Sequence, residues 1–173
     1  IVAVCIDKME FGARALGHRS FMCDPSNIKA KEKLNNLIKQ RDFWMPFTPS
    51  ILSDNFSSYV KGKTKYCNKY MTMSYDSSEL AQKHLKAAIH PKDLTIRPQL
   101  VSPNVCKKYY KLIKEFKKIS GIGAVLNTSL NIHEKPIIMD PQDIVNDFII
   151  SKKIFIDNIY VYNTLFTLKK SHK

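Results

Sequence analysis

The chain alternates short apolar runs with segments of helical periodicity. Residues 1–6, IVAVCI, form an apolar run of strand length. Next comes EFGARALGHRS (10–20), a polar turn punctuated by Gly12 and Gly17. Asp24 and Pro25 read as an N-cap and first helical residue. Ile28, Leu34, Leu37 and Ile38 then give one apolar helix face to about Gln40. Residues 43–52 are aromatic and broken by Pro46 and Pro49. That predicts an extended segment lining something rather than a helix interior or a central strand. Residues 53–68 read as a polar loop, 69–75 as a strand, and 80–89 as a short helix or a lead into the next strand. Residues 95–101 predict a strand, with Pro98 placing it at an edge or a bulge.

The clearest helix follows. Ser102 reads as its cap, Pro103 as its first residue and Gly121 as its stop. Val105, Tyr109, Leu112, Ile113, Phe116 and Ile119 form its buried stripe. Residues 122–126 predict a buried strand running into a polar turn, NTSLN (127–131). Asp140 and Pro141 start another helix, with Asp143 near N3 and Ile144, Val145, Phe148 and Ile149 inward. Residues 155–161 are a final strand, which 165–168 extend or follow. Strands and helices alternate without internal repeats, so the class is α/β or α+β with a mixed sheet, in one domain over 1–173.

Charge adds a contrast. The net charge is +13, and of 28 basic residues only Arg14, Arg19, Arg41 and Arg97 are arginine. Lysine is dispersed as on an ordinary solvated surface. The arginines sit in the least generic segments, and their planar fork matches phosphate and carboxylate bidentately. This predicts an oxyanion or nucleotide site. Asn127, Thr128, Ser129 and Asn131 follow a buried strand and offer further polar groups. Lys39 and Arg41 stand two apart at a helix end, and Glu10 is placed to orient Arg14 or Arg19. Dispersed lysine and the lack of a zinc-finger, basic-zipper or RNP-like motif argue against specific nucleic-acid binding. His90 and Asp93 make a poor metal pair, and no Cys-His or Ser-His-Asp arrangement follows from spacing. Cys5, Cys23, Cys67 and Cys106 form no CxxC pair, and Cys5 and Cys106 sit among apolar residues, which predicts buried thiols rather than disulfides or a zinc site, in a reducing, cytoplasmic setting. No apolar run reaches membrane-spanning length, and the opening directly into a strand reads as a domain of a longer polypeptide.

Six segments in order resemble the C-terminal domain of the O-carbamoyltransferases of the nodulation and antibiotic-biosynthesis type. They are MEFGARALGHRS (9–20), CDP (23–25), KQRDFWMPFTPS (39–50), IHPKDLTIRPQ (89–99), LNTSLNIHEKPI (126–137) and DPQD (140–143). The resemblance covers nearly the whole chain. It implies a YrdC/Sua5-like fold, a twisted mixed sheet with flanking helices around a basic cavity. It also implies binding of ATP, with Mg²⁺, and of carbamoyl phosphate, and formation of carbamoyl adenylate. A covalently linked Kae1-like N-terminal domain, with its own metal, would then pass the carbamoyl group to a hydroxyl acceptor. On the family pattern Lys39 and Arg41 fall on its K-x-R element, and Ser129 and Asn131 on its S-x-N element. Arg14, Arg19 and Arg97 fall on its other basic positions. The resemblance therefore makes Lys39, Arg41 and Arg14 the catalytic candidates. The binding set is these three with Arg19, Arg97, Asn127, Ser129 and Asn131, with no protein-held metal.

The chain departs from the pattern at four positions. Ala13 replaces the usual proline, Met45 and His133 stand where arginine is usual, and Leu94 replaces a glycine in a segment one residue longer. Two competing readings stay open: a degenerate anion-binding module without turnover, and an RNA-binding YrdC-type domain.

Overall fold

A computed structural model describes residues 1–40, 42, 45–62, 68–150 and 156–167. Its main sheet has seven strands. In chain order these are β1 (Val2–Cys5), β2 (Arg19–Cys23), β3 (Thr48–Leu52), β6 (Gln99–Val101), β7 (Ala124–Ser129), β8 (Asn158–Val161) and β9 (Thr164–Thr167). Across the sheet the order is β6-β3-β7-β2-β1-β8-β9. β1 runs parallel to β8 and β3 to β6, while the other neighbours are antiparallel. A second ribbon pairs β4 (Tyr75–Asp76) with β5 (Thr95–Ile96).

The sheet is covered on both faces, because its strands alternate two apolar sets. Ala3, Cys5, Phe21 and Leu126 face Leu34 and Ile38 of the first helix and Ile144 and Phe148 of the last. Val4, Ile6, Met22 and Val125 face Tyr109 and Ile113 of α4 (Lys107–Ser120). A third cluster joins Ile51 and Ala124 to Phe56, Tyr59, Ala81 and Leu85, from α2 (Phe56–Tyr59) and α3 (Glu79–His84). The mixed α/β sheet with flanking helices agrees with the expected class.

Several local expectations are corrected. Asn27, not Asp24, caps α1 (Ile28–Leu34), accepting from the Ala30 N–H at 3.0 Å. Asp24 instead closes a turn onto Ser26, which leaves Pro25 before the helix. α1 then widens into a π-helical turn over Asn35–Lys39. β2 had no counterpart among the expected strands. β3 lies inside the sheet despite Pro49. Its pairing with β6 begins at Ser50, so the proline meets only one neighbour. Residues 53–59, expected as loop, are helical, because Phe56 and Tyr59 bury against α3. The strand expected over 69–75 reduces to Tyr75–Asp76. The 95–101 strand divides at Arg97–Pro98 between two sheets.

Helix α4 begins at Lys107. Ser102 and Pro103 form a preceding turn that leaves Val105 outside the helix and exposed; Ile119, expected in the buried stripe, is exposed in the last turn, and Gly121 ends the helix in the left-handed region. NTS is the end of β7 and not a turn. The strand expected from 155 begins at Asn158; residue 155 lies outside the described residues. Asp140 and Asp143 do form a reciprocal capping box on α5 (Pro141–Ile144), with Pro141 in its first turn. Cys5, Cys23 and Cys106 are free thiols, but of the expected buried thiols only Cys5 is fully buried, Cys23 and Cys106 being half-buried; Cys67 lies outside the described residues. No helix among the described residues is long and apolar enough to cross a membrane.

Candidate functional site

Position 39 is set by backbone geometry. The π turn ends where Gln40 turns left-handed (φ 46°), its N–H bonding the Asn35 carbonyl at 2.6 Å. That wide turn aims Lys39 at the end of β7. Its Nζ donates to Ser129 O (2.8 Å), Ser129 Oγ (3.0 Å), Asn131 O (3.2 Å) and Asn131 Oδ1 (2.5 Å). Ser129 Oγ also donates to Asn131 Oδ1 at 2.6 Å, and Lys39 is only 4% exposed. The K-x and S-x-N elements, 90 residues apart, thus meet directly. Arg41 lies outside the described residues. A cavity of about 370 Å³ opens here, lined by Lys39, Gln40, Asp42, Met45, Ser129, Asn131, His133 and Glu134. Both positions where arginine is usual, 45 and 133, are on its wall.

A smaller pocket of about 50 Å³ lies on the other side of Ser129. Arg14, Arg97, Thr48, Met71, Asn127 and Thr128 line it, with Ala13 and Ala15. Arg97 is half-buried and Arg14 exposed. Burial and the charge of Arg14 both push the Arg97 guanidinium down from its ordinary value, although a guanidinium stays protonated. Among the described residues neither arginine makes a hydrogen bond or an ion pair, so the pocket carries net positive charge.

The polar residues behind the pocket, Thr48, Ser50, Gln99 and Asn127, are buried and bonded to one another. Asn127 Nδ2 donates to Ala15 O (3.0 Å), Ser50 Oγ (3.0 Å) and Gln99 Oε1 (3.2 Å). Gln99 reaches Leu16 O at 2.9 Å, and Thr48 Oγ1 donates to Asn127 O at 2.9 Å. Asn127 Oδ1 is buried and accepts no hydrogen bond among the described residues. A ligand with an anionic end and an N–H end would complement both features.

The loop that carries Arg14 is built around Glu10. Its Oε1 accepts the backbone N–H groups of Leu16 and His18, at 2.5 and 2.8 Å. Glu10 was expected to orient an arginine, but it orders the loop backbone instead. Gly17 (φ +115°) packs where any Cβ would enter the Tyr109 ring. Arg19 is not brought to either cavity. It is 4% exposed, and its guanidinium bonds the carbonyls of Ile6, Asp7, His18 and Met139 at 2.8–3.1 Å, tying β1, β2 and the turn before α5 together.

Spacing gave no sign of Thr48, Ser50 and Gln99, which polar residues inside otherwise apolar β3 and β6 could have flagged. It also gave no sign of the contact between His18 and Cys106, which are 88 residues apart. Leu94, where the pattern has glycine, holds a left-handed conformation (φ 58°), so the backbone keeps the turn that the glycine would serve. Among the described residues no three His, Cys, Asp or Glu side chains converge as a metal cage. Asp42 and Glu134, at the Lys39 cavity, are the carboxylates within its lining.

The family model described as Carbamoyltransferase C-terminus matches residues 1–167. An uncharacterized protein of Methanocaldococcus jannaschii is 40% identical over 149 residues, 86% of this chain and 24% of that protein. Nodulation protein NolNO of Sinorhizobium fredii is 32% identical over 143 residues, 82% of this chain and 21% of that protein. Nodulation protein NolO of Bradyrhizobium diazoefficiens is 33% identical over 144 residues, 82% of this chain and 26% of that protein. The chain thus spans about a quarter of the length of the relatives it matches. With the six ordered motifs and the meeting of Lys39 with Ser129 and Asn131, the match places this chain in the carbamoyltransferase C-terminal family.

Proposed function

We propose that the chain binds ATP and carbamoyl phosphate and forms carbamoyl adenylate, which a linked Kae1-like domain passes to a hydroxyl acceptor. The observation that carries this reading is the sharing of Ser129 by two cavities of different size. One is lined by Arg14, Arg97 and Asn127, the other by Lys39 and Asn131. The small pocket is far below the 300–1,000 Å³ of ordinary ligand sites and suits one small group. In this reading it takes the carbamoyl end. Asn127 Oδ1 accepts from the carbamoyl N–H, and the Arg14 and Arg97 guanidinium groups face the adjoining oxyanion. The larger cavity takes the nucleotide phosphates beside Lys39, with Arg41 as their expected second cation.

The net reaction consumes one water and releases phosphate and pyrophosphate. The protein positions the partners and offsets negative charge as it builds on the departing phosphates, and no covalent enzyme intermediate is needed. The donor set fits a substrate-carried Mg²⁺, with Asp42 and Glu134 available to complement phosphate oxygens. That ion would supply charge neutralisation across the triphosphate. Lys39, held by four oxygens, presents a fixed ammonium beside Ser129 Oγ, while Asn127 holds the pocket wall in register.

One observation favours a second reading, an anion-binding module without turnover. Met45 and His133 remove two usual cations from the wall of the larger cavity. The test is pyrophosphate release from Mg-ATP with and without carbamoyl phosphate. Release that depends on carbamoyl phosphate and disappears in Arg14→Ala supports the enzyme reading. ATP binding without such release, in the chain joined to its preceding domain, supports the module.

A further inference from the structure

We propose that Cys106 and His18 form a reactive thiol site whose class of reactant is a low-molecular-weight disulfide. His18 belongs to the loop that carries Arg14, Cys106 precedes α4, and neither lines either anion cavity. His18 Nε2 stands 3.2 Å from Cys106 Sγ, and His18 Nδ1 stands 2.7 Å from the Lys8 carbonyl oxygen. A carbonyl only accepts, so Nδ1 carries the proton. In the neutral ring this leaves the Nε2 lone pair facing the thiol. The arrangement has the three parts of an activated nucleophile: a thiol, a base in reach, and a group that fixes the base. His18 is further held through its own N–H by Glu10 Oε1, so ring and backbone are both ordered.

Cys106 is also the residue before the first turn of α4, a 14-residue helix, where the helix dipole favours a thiolate. Burial pushes the thiol up. The His18 hydrogen bond, the Tyr109 backbone N–H and the His18 charge outweigh that, and the net direction is down. His18 in turn is pushed up to about 9, chiefly by its hydrogen bond to Cys106 and against desolvation. Both directions favour transfer of the thiol proton to the imidazole. The other charged groups near it are Asp7, which pairs with Lys108, and Glu10. Asp7 opposes the thiolate, but its pairing with Lys108 offsets it. Cys106 is only half-buried, so a small reactant can reach it. By contrast, burial pushes both Cys5 and Cys23 up, the latter to about 12, and makes them poor nucleophiles.

The exchange balances without a further reagent. His18 Nε2 takes the Cys106 proton, and the thiolate attacks one sulfur of the disulfide. The S–S bond breaks, its second sulfur leaves with the electron pair as a thiolate, and a mixed disulfide forms on Cys106. One sulfur is oxidised and one reduced.

The test uses the chain with Cys67→Ser, glutathione disulfide as the probe, and mass mapping of the adduct between pH 6.0 and 9.0. An ordinary thiol titrating near 8.5 reacts about 50-fold more slowly at pH 6.5 than at pH 8.5. The expected result is an adduct on Cys106, with a rate that falls measurably less than that between pH 8.5 and pH 6.5. In His18→Gln the rate should recover the ordinary thiol profile. A Cys106 rate that already follows the ordinary profile overturns the proposal. So does a profile that His18→Gln, shown folded by circular dichroism, leaves unchanged. If His18→Gln does not fold, the wild-type profile against a Cys106→Ser control decides alone.

Discussion

Replacing Arg97 with alanine should separate binding from stability. Most half-buried arginines brace their surroundings, and losing one destabilises the fold. Arg97 makes no hydrogen bond or ion pair among the described residues and shares its pocket with Arg14, whose charge acts against it. Removing it relieves repulsion between like charges. Arg97→Ala should therefore unfold within about 0.5 kcal/mol of the wild type, the ordinary range for a substitution that breaks no contact. Its effect on an anionic ligand should be large. One charge-assisted hydrogen bond contributes about 1.5–3 kcal/mol, so carbamoyl phosphate should bind about 10- to 150-fold more weakly. Arg97→Lys keeps the charge but not the planar fork, and should fall between the two. Calorimetric titration alongside thermal unfolding gives both quantities from the same preparations. Loss of more than about 2 kcal/mol of stability with unchanged affinity would refute the reasoning and make Arg97 a brace.

Lys39→Met should behave differently. It removes the buried ammonium that four Ser129 and Asn131 oxygens share, of which only Asn131 Oδ1 and Ser129 O keep another donor among the described residues, and stability should fall by about 1–3 kcal/mol together with nucleotide affinity; stability unchanged in denaturant titration would contradict the role assigned to it. Leu94→Gly should stabilise by about 0.5–1 kcal/mol, the left-handed cost at φ 58° less the extra chain entropy of glycine, raising Tm by a few degrees. Gly17→Ala should cost more than about 2 kcal/mol, since the new Cβ meets the Tyr109 ring at a φ of +115°; an unchanged Tm would show that the loop adapts. The pair Met45→Arg and His133→Arg should tighten ATP binding at least tenfold if the wall of the larger cavity contacts phosphate, and calorimetry showing no change would remove that wall from the nucleotide path.

Much of the architecture was readable from pattern. The capping box at Asp140 and Asp143 and the stop at Gly121 follow from local chemistry, and both are present. The first run, VAVC within IVAVCI, is a strand buried on both sides. What escaped pattern reading depends on contacts distant in sequence. β2 carries Arg19 and Ser20 in a strand because it lies between β1 and β7, whose pairing satisfies its backbone. Pro49 could enter the sheet only because β6 begins pairing one residue later. Asn127, Thr128 and Ser129 look like a turn, yet all three belong to β7, since β2 pairs along it to Ser129 while β3 pairs as far as Asn127. At the site, arginine scarcity pointed to Arg14 and Arg97, which do share a pocket. The same reasoning included Arg19, whose fork is matched by four backbone carbonyls, a use that one-dimensional pattern cannot distinguish from phosphate recognition.

The most direct test of the central claim is calorimetric titration of the chain with Mg-ATP, alone and with saturating carbamoyl phosphate, for the wild type, Arg14→Ala and Lys39→Ala. The account predicts that the wild type binds, that Lys39→Ala loses Mg-ATP, and that Arg14→Ala keeps Mg-ATP but loses the effect of carbamoyl phosphate, both variants remaining folded. Unchanged Mg-ATP affinity in folded Lys39→Ala would place the nucleotide elsewhere and contradict the assignment of these cavities.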